Sequence, residues 1–131
     1  MAESFLRPLV ASAEASTRQL VNVRTGFRIA TRVETAFDSA SRRQGLLGRQ
    51  SMAAGDALVI APCPAIHTAF MQFAIDVIFA ARDGRIVGLR RRVRPWRIAF
   101  AVRAFAAIEL PAGTIDPTTL RVGDVLTVTT T

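Results

Sequence analysis

Five odd-numbered positions in succession, Met71, Phe73, Ile75, Val77 and Phe79, are apolar, and a period of two is the repeat of a β-strand. Asp83-Gly84 follows. Both residue types tolerate positive φ, so the pair predicts a two-residue type I′ hairpin turn. Arg85 to Val93 then reads as the returning strand, with Val87, Leu89 and Val93 on its buried face. A hairpin with so apolar a row must be covered, and the rest of the chain has to supply the cover.

That cover reads as more β-structure. Leu20–Val23 and Phe27–Val33 are strand-like and are divided by Thr25-Gly26 as a turn. Asp38 or Ser39 caps a short helix running through Arg42 to Leu47, with Gly48 as its stop. Gly45 inside it weakens it by about 1 kcal/mol relative to Ala. Ala57–Ala61 is a short buried strand ended by Pro62-Cys63-Pro64. From Trp96 to Leu110 the even positions are apolar, which favours extended chain, and Val125–Thr130 closes as a Thr/Val strand. The fold class is therefore α+β and predominantly β: a compact small barrel or sandwich of short, mostly antiparallel strands with one short helix. Residues 1–19 read as a lead-in, mobile or helical through Phe5, Leu6, Leu9 and Val10. Residues 20–131 read as a single globular domain.

At 131 residues and 50% apolar, the chain is neither disordered nor multidomain, and it needs no disulfide or metal to fold. All 17 basic residues are arginine, against 10 acids. Eight of those arginines and one acid fall in residues 82–103, which alone carry +7; the nine arginines and nine acids left elsewhere cancel. A single cysteine, Cys63, excludes an intramolecular disulfide and fits a reducing compartment. Glu3 and Arg7-Pro8 spoil the N-terminus as a signal peptide, and no run approaches the ~18 apolar residues of a membrane span. A cytoplasmic protein without a membrane partner is expected.

Several blocks then fall into a known order. Arg42-x-x-Gly45-Leu46-Leu47-Gly48-Arg49 resembles the R-x-x-G-L-M-x-R signature of the family catalogued as domain of unknown function 192. The resemblance continues through His67-Thr68-x-x-Met71, Ile75-Asp76-Val77-x-Phe79 and Asp83-Gly84-Arg85-Ile86-Val87. It ends with Ile108-Glu109-Leu110-x-Ala112-Gly113-Thr114 and Arg121-Val122-Gly123-Asp124, so that order and spacing hold over residues 20–131. Leu47 replaces the usual Met, a volume-conserving swap, and Ala69-Phe70 stands where many members carry bulkier aromatics. The resemblance implies a small, mostly-β single domain. It transfers no catalytic residue, and many relatives look exported, whereas this chain lacks the signal.

Three groups of residues could carry function. Asp76 and Glu109 lie on strands among core residues, where a carboxylate needs a partner. Arg42 and Arg49 are the natural ones, so an Arg–carboxylate bridge from helix to sheet is expected. With His67, these residues form a candidate binding site for a small anionic ligand or an acidic protein surface. Cys63, His67 and Met71 recur at four-residue intervals, a soft ligand set for Cu(I) or a thiol-based site, provided that they converge. Arg90, Arg91, Arg92, Arg94 and Arg97 with Trp96 offer phosphate contacts and a stacking ring to nucleic acid within segment 85–97. The same arginines equally protect a strand edge from association. Binding is expected rather than catalysis, and no cofactor is expected.

Overall fold

The computed structural model describes residues 4–11 and 18–130. The remainder of the expected lead-in, residues 1–3 and 12–17, lies outside the described residues. A short helix, α1 (Arg7–Ala11), precedes β1 (Arg18–Asn22), β2 (Arg28–Ala30) and β3 (Arg32–Ala36). Then come α2 (Ser39–Gln44), β4 (Asp56–Ile60), β5 (Ala65–His67), β6 (Ile75–Ala80) and β7 (Ile86–Val93). Finally β8 (Ile98–Phe100), β9 (Ala106–Pro111) and β10 (Leu126–Thr130) complete the chain.

Five strands make the central sheet, in the order β3-β4-β9-β6-β7, with β3 and β4 parallel and every other pair antiparallel. A second sheet, β10-β1-β2, packs against one face, and the two-stranded ribbon β5-β8 covers part of the other. The sheets do not close into a barrel. Because the central sheet is covered on both sides, β6 is buried at all six positions and β4 and β9 at nearly all. Val59, Ile78 and Ile108 meet Leu20, Leu126 and Val128 of the second sheet. Leu58, Val77 and Phe79 meet Leu46, Ile66 and Met71 on the opposite face. Each such side chain, once buried, contributes about 1.5–3 kcal/mol. Leu6 and Leu9 of the lead-in, both 3% exposed, also join the first cluster.

Several local expectations shift. Phe27–Val33 is two strands in two sheets, separated at Thr31, because β2 pairs with β1 while β3 pairs with β4. Asp38 does cap α2, accepting the Ser41 N–H at 2.8 Å, but the helix ends at Gly45, which adopts φ 47°, rather than at Gly48. The strand signal at Met71 and Phe73 is not realised, since strand pairing begins only at Ile75. The β6–β7 connection is no type I′ turn. Ala81 N–H donates to the Arg85 carbonyl, Gly84 N–H donates to that of Ala81, and of the loop residues only Gly84 has positive φ. This is the three-residue loop ending in a left-handed glycine.

The even row Trp96, Ile98, Phe100 and Val102 is extended at β8, but it faces solvent. Ala99 and Ala101 occupy the inside instead. A Cβ placed on Gly88 would come within 2.9 Å of the Ala101 Cβ, so the ribbon sits too close to β7 for anything larger.

Candidate functional site

Glu109 stands mid-strand on β9, paired with Leu58 of β4 on one side and Val77 of β6 on the other. Its neighbours on that face are apolar: Leu58, Ile60, Val77 and Ala107. Glu109 as a residue is only 3% exposed, and its carboxyl takes part in no hydrogen bond or ion pair among the described residues, but its oxygens are not sealed in and open onto accessible space. Burial is the dominant cause that pushes it up to about 7, against a weaker lowering by the Arg49 charge. Above it passes the turn after α2. A Cβ on Gly45 would lie 3.6 Å from Glu109 Oε1, and Leu46 (2% exposed) plugs the turn into the core beneath.

Between this turn, the end of β4, the 61–64 loop and β5 lies a cavity of about 100 Å³. Its buried lining is Glu109, Leu46, Ile60, Ile66 and Met71, with Cys63 half-buried beside them. At the mouth stand the exposed Arg43 and His67 and the half-buried Arg42. Arg42 Nη1 donates to the Phe37 carbonyl at 2.7 Å, which aims the guanidinium and leaves it further donors. The Cys63 thiol donates to the Ala65 carbonyl at 2.9 Å, and burial pushes its pKa up, so it stays a thiol rather than a thiolate.

Of the residues expected in an anion site, Arg42, His67 and Glu109 come together, while Arg49 and Asp76 do not. Arg49 Nη2 pairs with Glu34 Oε2 of β3 at 2.8 Å, so the expected bridge from the helix region to the sheet exists, with a carboxylate that attracted no notice in the sequence. Asp76, 0% exposed, has no cationic partner among the described residues either. Its Oδ1 accepts the Arg92 N–H at 2.8 Å, and its Oδ2 accepts those of Gly113 (3.1 Å) and Ile115 (2.8 Å). Three backbone donors serve a buried carboxylate as well as an arginine does, and Asp76 is thereby a brace between β6, β7 and the 112–115 turn. Asp124 plays a similar part elsewhere, binding Arg24, Asn22 and the Arg121 N–H, with Arg24 first among the causes that hold it below the usual carboxylate range.

Cys63, His67 and Met71 all line the cavity. Among the described residues, no three His, Cys, Asp or Glu side chains gather as a metal-binding group. The arginine segment does not form one row, because a bulge opposite Asp76 puts an extra residue of β7 between the partners of Ile75 and Val77. Arg90 is strapped to the Leu89 and Phe100 carbonyls at 2.9 and 2.7 Å. Arg91 and Arg97 line a shallow groove beside Ile98 and Phe100. Sequence reasoning missed Arg43 and the wall residues Ile60 and Ile66. Gly45 was visible in the Arg42–Arg49 block, but its place over Glu109 was not.

A model of the domain of unknown function 192 family, described as uncharacterized ACR, matches residues 21–128. No curated protein matches the chain. A crystal structure of a protein of unknown function from Novosphingobium aromaticivorans DSM 12444 superposes with a TM-score of 0.72 at 20% identity, over 83% of this chain and 81% of that one. A candidate transcription regulator from Sinorhizobium meliloti 1021 superposes with a TM-score of 0.73 at 26% identity, over 88% of this chain and 95% of that one. The fold is thus shared with solved proteins.

Proposed function

The chain belongs to the domain of unknown function 192 family, and from that premise we propose that it is a binding module for a small anionic ligand received in the Glu109 cavity. One observation carries the reading: a largely buried carboxyl without a hydrogen bond among the described residues faces a half-open cavity whose mouth is basic. A carboxyl that no protein group satisfies takes water or a ligand as its partner, and a ligand that offers a donor there replaces the water's hydrogen bond with its own. The ligand's carboxylate or phosphate would meet Arg42, Arg43 and His67 at the mouth. A donor group on the same ligand would meet Glu109 inside. A cavity of about 100 Å³ holds a small organic group or a few waters, which sets the ligand's size. Nucleic-acid binding through 85–97 has weaker support, since Arg90 is already engaged by carbonyl groups; the description of the Sinorhizobium relative is what keeps it in view.

The test is a panel of small carboxylates, phosphates and amino acids followed by amide chemical shifts. A binder moves the Gly45, Cys63 and His67 signals, raises the melting temperature, and loses affinity about tenfold or more on Arg42→Gln. A panel without any member that moves those amides overturns the reading.

A further inference from the structure

We propose that the outer face of the β5–β8 ribbon, with the loops beside it, docks on an anionic phospholipid surface. This site is separate from the Glu109 cavity, although the two share an edge. His67 lies opposite Ile98 across the ribbon, and Ala65 lies opposite Phe100. Cross-strand pairs project to the same side of a sheet, so the apolar face begins where the cavity mouth ends.

The face is apolar to an unusual degree. Phe70 (71% exposed), Trp96 (61%), Ile98 (78%), Phe100 (62%) and Val102 (77%) are five of the eight large hydrophobic side chains exposed among the described residues. Phe70 and Trp96 touch, and Ile98 and Phe100 share one face of the ribbon; exposed apolar side chains grouped in this way mark an interaction surface. It is also held rigid. The Phe70 and Trp96 rings meet with centroids 4.6 Å apart, and both residues sit in the left-handed backbone region, at φ 65° and 64°. Aromatic residues are rare there, and such outliers persist only where their surroundings enforce them. Thr68, fully buried, is the enforcer. Its hydroxyl donates to the Arg94 carbonyl at 2.6 Å and accepts the Arg97 N–H at 2.8 Å, while its carbonyl accepts the N–H groups of Met71 and Trp96. The fold thus holds two large rings outward on a fixed platform.

Charge selects the partner. Residues 65–75 and 85–103, which include the ribbon and the loops beside it, contain no acid, and the second span carries seven arginines. The acids beside them include the buried Glu109 of the neighbouring cavity and Asp116, which feels the Arg91 charge. A second copy of the chain would bring like charge against like. Nucleic acid fits the arginines and would find rings to stack on in Phe70, Trp96 and Phe100, yet the most exposed of the large hydrophobic side chains, Ile98 and Val102, are aliphatic and gain little from a base. A bilayer of anionic lipid meets both demands. Aliphatic and aromatic side chains enter the headgroup–acyl boundary, and arginine stems lie along it with their guanidinium groups on the phosphates. No described helix is long and apolar enough to cross a membrane. The contact is peripheral, so the lack of a spanning run, on which a membrane partner was discounted, does not bear on it. The segments that meet here, at 70 and at 96–102, are too far apart in sequence for the patch to be read there.

Trp96 is the one tryptophan, and its emission reports insertion directly. The full chain is mixed with vesicles of phosphatidylcholine alone or with added phosphatidylserine. The expected result is a blue shift and co-sedimentation with the anionic vesicles only, weakening as salt rises. The double variant Ile98→Ser/Val102→Ser should bind at least about tenfold more weakly with an unchanged melting temperature, since both side chains are already in water. The proposal is overturned by unchanged Trp96 emission with anionic vesicles at low salt, or by a double variant that binds as tightly as the parent. It is equally overturned if single-stranded oligonucleotide or self-association alters Trp96 while vesicles do not.

Discussion

The Arg49 guanidinium sits 2.8 Å from the Glu34 carboxylate, and this pairing holds the nearest influential cation away from Glu109. Two carboxyl groups compete for one arginine, and the half-exposed one has it. Glu34→Gln should release Arg49 and lower the titration midpoint of Glu109 from about 7 toward the ordinary carboxyl range. Carboxyl carbon shifts followed through a pH titration measure this directly. An unmoved Glu109 midpoint would show that burial alone sets it. The fold should survive, because a half-exposed ion pair contributes at most about 1 kcal/mol.

Glu109 also makes stability depend on pH. Its usual value is 4.5 and its folded value about 7, so between these the folded chain keeps a proton that the unfolded chain has released. Stability is therefore full below the lower value and declines as pH rises through the window. Glu109→Gln should remove this decline and, on the order of 3 kcal/mol, favour the variant at pH 8 relative to its standing at pH 4. Urea unfolding at the two pH values gives the comparison. Parallel shifts in parent and variant would refute it.

Asp76→Ala should destabilise by about 3 kcal/mol or more, because the N–H groups of Arg92, Gly113 and Ile115 would lose their acceptor inside the protein. Ligand binding at the cavity should persist in whatever fraction remains folded, since Asp76 does not line it. Hydrogen exchange would show the loss first at those three amides.

Gly84→Ala should cost about 2–4 kcal/mol, for two reasons that add. The residue sits at φ 92°, and the new Cβ would collide with the Leu126 carbonyl oxygen. Gly26→Ala is the control: it shares the backbone strain at φ 73° but has nothing within 4 Å of the added carbon. The difference between the two melting temperatures isolates the collision. Equal effects would mean that the backbone around Leu126 yields.

How much of this was legible depended on whether the deciding partner was near in sequence. Asp38 as a cap, the places of the turns at Gly26 and Gly84 and most strands are local matters, and they read correctly, although the turn type at Gly84 and the helix stop, at Gly45 rather than Gly48, did not. The split of Phe27–Val33 was hidden because β1 and β4, distant segments, claim its two halves. The bulge that breaks the Arg90–Arg92 alternation depends on Asp76 reaching across to the Arg92 N–H. Glu109 stood out as a carboxylate among apolar neighbours, but its lack of a cation depended on Glu34, which nothing in the sequence distinguishes. The row from Trp96 to Val102 has the pattern of a core face and faces solvent, because Gly88 and Ala101 leave no depth on the inner side.

The pairing of β1 with β10 runs in register from Arg18 opposite Thr130 to Asn22 opposite Leu126. One strand near the start of the chain therefore waits for a partner more than a hundred positions later. On the ribosome, the second sheet cannot close over Leu20 until β10 has emerged, so the apolar face of the central sheet stays uncovered during synthesis. Long-range closure of this sort slows folding and prolongs the exposure of strand edges. Truncation before Leu126 should accordingly yield an aggregating chain rather than a smaller domain.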